Sequence, residues 1–133
     1  MRLTGAVVTL MALGFVVAPA QEKSTGSVSF KDDLFPVISK HCLPCHAEDN
    51  FNPSELSLDS YELMMQGGKN GALVVAGKAK ESLLTKKLGE TPPFGDRMPL
   101  NKKQVISEGK AKYLSEAELK IITEWINQGA KNN

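Results

Sequence analysis

The sequence predicts an all-α fold of about four to five short helices. Apolar residues recur at helical spacing, three and four positions apart, in several segments of the 133-residue chain. Stretches rich in Gly, Pro and Asn separate these segments. No two runs of alternating apolar and polar residues are placed to pair as a hairpin. The length of the chain accommodates one small domain.

Residues 1–20 have the pattern of a signal peptide, with a positive charge at Arg2 followed by the apolar run Gly5–Val17. Ala18 to Ala20 presents the small residues that signal peptidase reads, so we expect cleavage before Gln21. The apolar run has thirteen residues, fewer than the roughly 18 of a membrane-spanning helix. An uncleaved anchor is the alternative. We therefore predict a periplasmic or secreted protein with no membrane span after cleavage.

The mature chain is predicted to begin with a flexible polar leader at residues 21–28, followed by one domain at residues 29–133. The first ordered element is expected to open near Ser29–Asp33. The helix itself is expected to start at Asp32 or Asp33, because Pro36 then lies in the first turn, where a missing N–H costs nothing. For these two aspartates, a role in starting the helix is more plausible than a role in a metal site or an acid–base pair. The helix runs into the only cysteine pair of the chain.

Three further helices are predicted. One covers Tyr61–Gln66 and is stopped by a Gly-Gly pair, and the next runs from Lys78 or Ala79 to Leu88. The last helix follows Ser115, which forms a capping box with Glu118.

The segments between the last two helices are predicted to be irregular and polar. Gly89 to Leu100 contains three prolines, and residues 101–112 form a polar insert. The lysine-rich runs 78–87 and 102–112 are expected to be solvated surfaces, with the docking of an acidic partner as the alternative. A net charge of +1 argues against a general binder of nucleic acid or anionic membranes.

The motif most informative about function contains both cysteines, Cys42 and Cys45, with His46 directly after them. Two thiols separated by two residues and followed by a histidine form the arrangement that attaches a c-type haem. The thiols add to the two haem vinyl groups as thioethers, and the neutral imidazole serves as the proximal iron ligand. A periplasmic disulfide, a thioredoxin-like dithiol and half of a zinc site are the alternatives. Export favours haem, and the motif predicts one covalent haem c around which the helices pack.

Met98 is the predicted second axial ligand of the iron. It lies in a loop broken by Pro and Gly, and Pro99 restricts it to an extended conformation. Packing in a core is the alternative for a single methionine. Met64 and Met65 are the alternative ligands, but their position in a predicted helix makes core packing their expected role.

Two other side chains are assigned supporting or surface positions. His41 is too close to His46 in the chain to reach the opposite face of the ring, so it is expected at the surface or beside a haem propionate. Arg97 is a candidate for a charge-assisted bond to a propionate, with an ordinary surface arginine as the alternative.

In the order and spacing of its motifs, the mature chain resembles class I-type cytochromes c, and in particular the planctomycete-type cytochrome c domain of secreted bacterial proteins. The resemblance covers nearly all of residues 30–130 and implies a cytochrome c fold in which Cys42 and Cys45 are covalently attached, His46 is proximal and Met98 is distal. Leu100 departs from the second proline that the family often shows, and the insert at 101–112 is slightly longer. Besides the haem motif, the shared segments are Leu56–Ser60, Gly67–Gly68, Val75–Gly77, Glu81–Leu84, Arg97–Pro99 and Leu114–Ala130.

A His/Met pair saturates the iron and favours its reduced state, which suits outer-sphere electron transfer and provides no position for a substrate. The sequence therefore predicts an exported monohaem electron carrier, or the electron-relay subunit of a secreted oxidoreductase, rather than an enzyme in its own right. We expect a monomer with transient redox protein partners. The alternatives are a gas sensor or peroxidase-like enzyme with a labile Met98, and a haem-free domain with a Cys42–Cys45 disulfide.

Overall fold

A computed structural model of the protein describes residues 26–133. The predicted signal peptide and its cleavage site lie outside these residues. The described part contains five α-helices, a short π-helical segment and no β-strand, which confirms the all-α prediction. Within residues 26–133, every helix is too short or too polar to cross a membrane.

The first helical segment begins at Phe30, so the predicted start at Asp32 or Asp33 is wrong. A π-helical turn, Phe30–Leu34, continues directly into α1, Phe35–His41, with Pro36 in the first turn of α1 as expected. The helical segment starts earlier than predicted because Ser29 forms a reciprocal cap with the two aspartates that follow it. The Ser29 hydroxyl accepts from the Asp32 N–H at 3.1 Å, while the Ser29 N–H donates to the Asp33 carboxylate at 2.8 Å.

The helix α2, Tyr61–Gln66, has the predicted bounds and is capped by Ser60, whose hydroxyl accepts from the Leu63 N–H at 3.2 Å. The helix α3, Leu83–Leu88, begins later than the predicted Lys78 or Ala79. The cause is Ser82, which is fully buried. Its hydroxyl bonds to the backbone of Val75 and Lys78 and holds the preceding residues in turns.

A helix that the sequence did not reveal, α4, covers Lys103–Ser107 within the polar insert, and none of its residues is buried. The side chain of Asn101 closes the insert at its base, because it accepts from the Lys112 N–H at 3.0 Å and donates to the Lys112 carbonyl at 3.1 Å. The last helix, α5, covers Glu116–Asn127 and has the predicted capping box at its start.

The core is centred on Trp125 of α5, which is 1% exposed. The rings of Phe30 and Tyr61 lie 5.8 and 6.3 Å from it, centroid to centroid. The Trp125 indole N–H donates to the Lys131 carbonyl at 2.9 Å. The two ends of the described domain meet beside this cluster, where the Asn133 side-chain oxygen accepts from the Phe30 N–H at 2.9 Å. Aromatic packing thus fixes α5 against the segment that leads to the cysteine motif.

Candidate functional site

The cysteine motif forms a series of turns directly after α1. The Cys42 N–H donates to the Ile38 carbonyl at 2.8 Å, and the His46 N–H donates to the Cys42 carbonyl at 3.0 Å. Cys42 is half-buried and Cys45 is exposed, and the two side chains are free thiols. Burial raises the pKa of the Cys42 thiol to about 11. Both sulfurs therefore lie on a short segment anchored by a helix.

The His46 imidazole is oriented by a backbone carbonyl. Its Nδ1 atom lies 3.1 Å from the Leu56 carbonyl oxygen, and the neutral ring donates its N–H there. A ring that donates through Nδ1 leaves the Nε2 lone pair available to a metal, the usual arrangement of metal-bound histidine. The loop is tied to the motif a second time, because the Leu58 N–H donates to the His46 carbonyl at 2.8 Å.

Asn52 holds the Leu56 peptide in place from both sides, a role that sequence reasoning missed. Its side-chain oxygen accepts from the Leu56 N–H at 3.1 Å and from the Ser54 hydroxyl at 2.7 Å. Its amide nitrogen donates to the Leu56 carbonyl at 3.3 Å. The signal in the sequence was Asn52-Pro53-Ser54, which is typical of a turn stabilised by an Asn side chain.

Met98 is half-buried and packs against the edge of the hydrophobic core. Its N–H donates to the Lys87 carbonyl at 2.8 Å, which connects the irregular loop to the end of α3. The Lys87 side chain is half-buried and reaches the same loop, donating to the carbonyls of Phe94 and Asp96 at 2.7 Å each. The run 78–87 was expected to be a solvated surface; Lys78, Lys80 and Lys86 are exposed, whereas Lys87 is half-buried.

Arg97 also contacts the end of α3 and borders a cavity. Its Nε donates to the Leu88 carbonyl at 2.9 Å, and its guanidinium lies 3.8 Å from the centre of the Tyr113 ring. The cavity has a volume of about 340 Å³ and lies between α3, α5 and Arg97. Its walls include Leu88, Leu119 and Ile122. The lining carries both signs of charge, because it includes Glu90 as well as Arg97.

The remaining candidates have structural contacts. His41 Nε2 lies 2.9 Å from a carboxylate oxygen of Glu118, to which the Lys40 ammonium donates at 2.7 Å. Met64 is fully buried in the core, in keeping with packing. Among residues 26–133, no three His, Cys, Asp or Glu side chains are grouped to hold a metal ion.

The donor atoms around the motif suit haem c. Cys42 and Cys45 are free thiols at the end of a helix, and His46 has an available Nε2 atom. Both Cys42 and Met98 pack against the same hydrophobic core. A structural zinc ion would need four nitrogen or sulfur ligands, whereas haem c needs two thiols and axial ligands. The roles of the four residues stay predictions.

Comparison with known families agrees with this chemistry, since the family model described as Planctomycete cytochrome C matches residues 42–99. The segment that contains the cysteine motif and Met98 is therefore similar to planctomycete cytochromes c. The predicted resemblance is confirmed, and the match implies covalently bound haem c. The matched segment begins at Cys42 and ends directly after Met98.

The chain is also similar to a solved structure, a chain of the Kuenenia stuttgartiensis hydrazine synthase, at 25% sequence identity and a TM-score of 0.47. The similarity covers 77% of this chain and 16% of the length of that chain. No curated protein matches the sequence.

Proposed function

We propose that this c-type cytochrome is an exported monohaem protein that carries single electrons between redox protein partners by outer-sphere transfer. The observation that carries the proposal is the fixed His46 imidazole, held at Nδ1 by Leu56 at 3.1 Å with Nε2 available. Bound haem c supplies the one-electron Fe(III)/Fe(II) couple. The protein's part is to attach the haem, to hold two axial ligands in place and to limit the access of water.

Cys42 and Cys45 are proposed as the points of attachment. Each S–H adds across one vinyl double bond, with sulfur going to one carbon and hydrogen to the other, so no oxidant or reductant is consumed. Cys45 is exposed and Cys42 is half-buried, so the porphyrin edge would rest partly on the end of α1. A haem attached through the exposed Cys45 would be open to electron exchange with a partner.

His46 and Met98 are proposed as the axial ligands. The Leu56 carbonyl makes the His46 ring a stronger electron donor through the Nδ1 proton. The Met98 thioether favours the reduced iron and raises the potential. Two protein ligands leave no position for a substrate, which is why we propose a carrier rather than an enzyme. The partners are proposed to bind transiently to a monomer in the periplasm or outside the cell.

The test is an absorption study of the full chain, exported from a bacterial host that has the machinery for haem c maturation. We expect a low-spin c-type spectrum in both oxidation states, and we expect no change when CO is added to the reduced protein. We also expect the colour to stay with the protein in acid–acetone. Extraction of the colour would refute covalent attachment. A CO-induced shift in the wild type would refute permanent ligation and would favour sensing or peroxide chemistry.

A further inference from the structure

We propose that Lys87 is a positioning residue. By hydrogen bonding to the loop from Phe94 to Met98, it keeps Met98 over the iron. The proposal rests on the proposed function, because it concerns the ligand that Met98 is proposed to supply. Lys87 belongs to a lysine-rich run of the sequence, and its contacts distinguish it from the other lysines of that run.

The ammonium of Lys87 is directed at the backbone of the loop. It donates to the Phe94 carbonyl and to the Asp96 carbonyl, each at 2.7 Å, and lies 4.8 Å from the centre of the Phe94 ring. Within residues 26–133 it forms no ion pair with a carboxylate. The full donor capacity of this cation is therefore available to the loop, as bonds from a charged group to neutral carbonyls and an aromatic face.

The loop also curves around the ammonium. Gly95, which lies between the two acceptor residues, has a φ of +56°, a left-handed conformation that favours glycine. A Cβ atom built at this position would lie 3.7 Å from the Lys87 Nζ. The turn at Gly95 thus brings the carbonyls of Phe94 and Asp96 onto one cation.

The backbone of Lys87 adds a third point of attachment. Its carbonyl is one of the last in α3 and has no acceptor role within that helix, since the final carbonyls of any helix lack intrahelical partners. The Met98 N–H fills this gap at 2.8 Å. Lys87 therefore holds the loop at Phe94 and Asp96 through its side chain and at Met98 through its main chain.

The side-chain bonds are expected to act on the equilibrium between bound and displaced Met98. Without the ammonium, the carbonyls of Phe94 and Asp96 lose this donor, and the loop gains conformational freedom. The backbone bond to Met98 alone then has to keep the sulfur in place. Removing the cation should therefore increase the fraction of molecules in which the sixth position of the iron is open.

The experiment compares Lys87→Met with Lys86→Met in the haem-loaded full chain. Lys86 is exposed, lies on the same helix and forms no side-chain hydrogen bond among the described residues. Both variants remove one positive charge from neighbouring positions, so the control accounts for the effect of charge on the potential. The variant Lys87→Arg keeps the charge and is expected to restore most of the wild-type behaviour, and Lys87→Gln keeps a neutral donor.

Three readouts are followed: the charge-transfer absorption of the ferric iron–thioether bond, the rate of CO binding to the reduced protein and the midpoint potential. We expect Lys87→Met to weaken the charge-transfer band and to accelerate CO binding at least about tenfold. Its potential should fall by about 60 mV relative to Lys86→Met, the equivalent of a tenfold change for a one-electron couple. The three readouts of Lys87→Gln should lie between those of Lys87→Met and the wild type. If Lys87→Met does not take up haem, Lys87→Gln is the variant that tests the role of Lys87.

Equal spectra, CO rates and potentials for the Lys86 and Lys87 variants would overturn the role of Lys87 and leave the proposed function intact. A wild-type protein with covalent haem and no thioether band would also overturn it, since Met98 would then not be the ligand. A wild-type protein without covalent haem would instead refute the proposed function. These three failures give different spectra and are therefore distinguishable.

Discussion

The His46 Nδ1 atom lies 3.1 Å from the carbonyl oxygen of Leu56, a residue ten positions further along the chain. The same carbonyl accepts a second hydrogen bond from the Asn52 amide. The orientation of the proposed proximal ligand thus depends on the Asn52 side chain, whose hydrogen bonds within the described residues go to Leu56 and Ser54. This dependence can be tested by substitution.

Asn52→Ala is expected to raise the midpoint potential by about 30 mV, or about 0.7 kcal/mol for a one-electron couple. A less well-held Leu56 carbonyl polarises the Nδ1–H less, so the imidazole stabilises the ferric iron less. Protein-film voltammetry measures the shift. Asn50→Ala is the control, because Asn50 donates to the Pro44 carbonyl at 3.1 Å and does not contact Leu56. An equal shift in both variants would argue against the role of Asn52.

Met98→Ala is expected to keep covalent haem and to open the iron to CO. Alanine has no donor atom, so the sixth position passes to water or to an added ligand, and the potential falls because the thioether no longer favours Fe(II). CO titration of the reduced protein checks this. Met65→Ala is the control on a half-buried methionine that packs against the same core. A CO-resistant Met98→Ala protein would remove Met98 from the ligand role.

Glu118→Gln is expected to destabilise the protein at neutral pH by about 1–2 kcal/mol, since Glu118 forms both a helix cap and a partly exposed ion pair. The Lys40 ammonium, followed by His41 and Ser115, holds the pKa of the Glu118 carboxyl well below its usual range. A lowered folded-state pKa means that the unfolded chain binds the proton first. The stabilisation is therefore complete above the usual glutamate value and declines as the pH falls below it.

Urea unfolding at pH 7 and at pH 3 measures this pH dependence. The difference in stability between the wild type and Glu118→Gln should shrink at the lower pH. Glu116→Gln is the matched control, because Glu116 is exposed in the first turn of the same helix. A difference that is constant between the two pH values would contradict the assignment.

Ser82→Ala is expected to lower the free energy of unfolding by about 1–3 kcal/mol, the cost of leaving a buried polar group without a partner. The Val75 N–H loses its acceptor at 2.9 Å, and the turns before α3 lose their connection. Thermal unfolding measures the loss. Ser107→Ala, at an exposed serine of α4, should change stability by less than about 0.5 kcal/mol. Similar losses in both variants would show that burial of Ser82 is unimportant.

Local signals were sufficient to predict part of the fold. The bounds of α2 and the start of α5 depend on Ser60, Ser115 and Glu118, whose capping contacts span three residues and can be recognised in the sequence. The haem motif is likewise continuous in the chain. The start of α3 depends instead on the hydrogen bonds of the buried Ser82 hydroxyl to the backbone of Val75 and Lys78, which no helical periodicity reveals.

The parts of the site that sequence reasoning missed are backbone groups and the side chains that orient them. The Leu56 carbonyl carries no residue-specific signal, so the partner of His46 could not be read from the side-chain pattern. Lys87 was assigned to the solvent because its neighbours are also lysines, whereas its carbonyl acceptors follow in the irregular loop. The helix α4 was missed because none of its residues is buried.

The closure of the polar insert by Asn101 and Lys112 has a consequence for how this protein can vary. Because one side chain fastens both ends of the insert, the residues between them can change in length without altering the path of the chain on either side. A recognition peptide or a fluorescent tag can therefore be inserted between Asn101 and Lys112 while the remaining helices keep their packing.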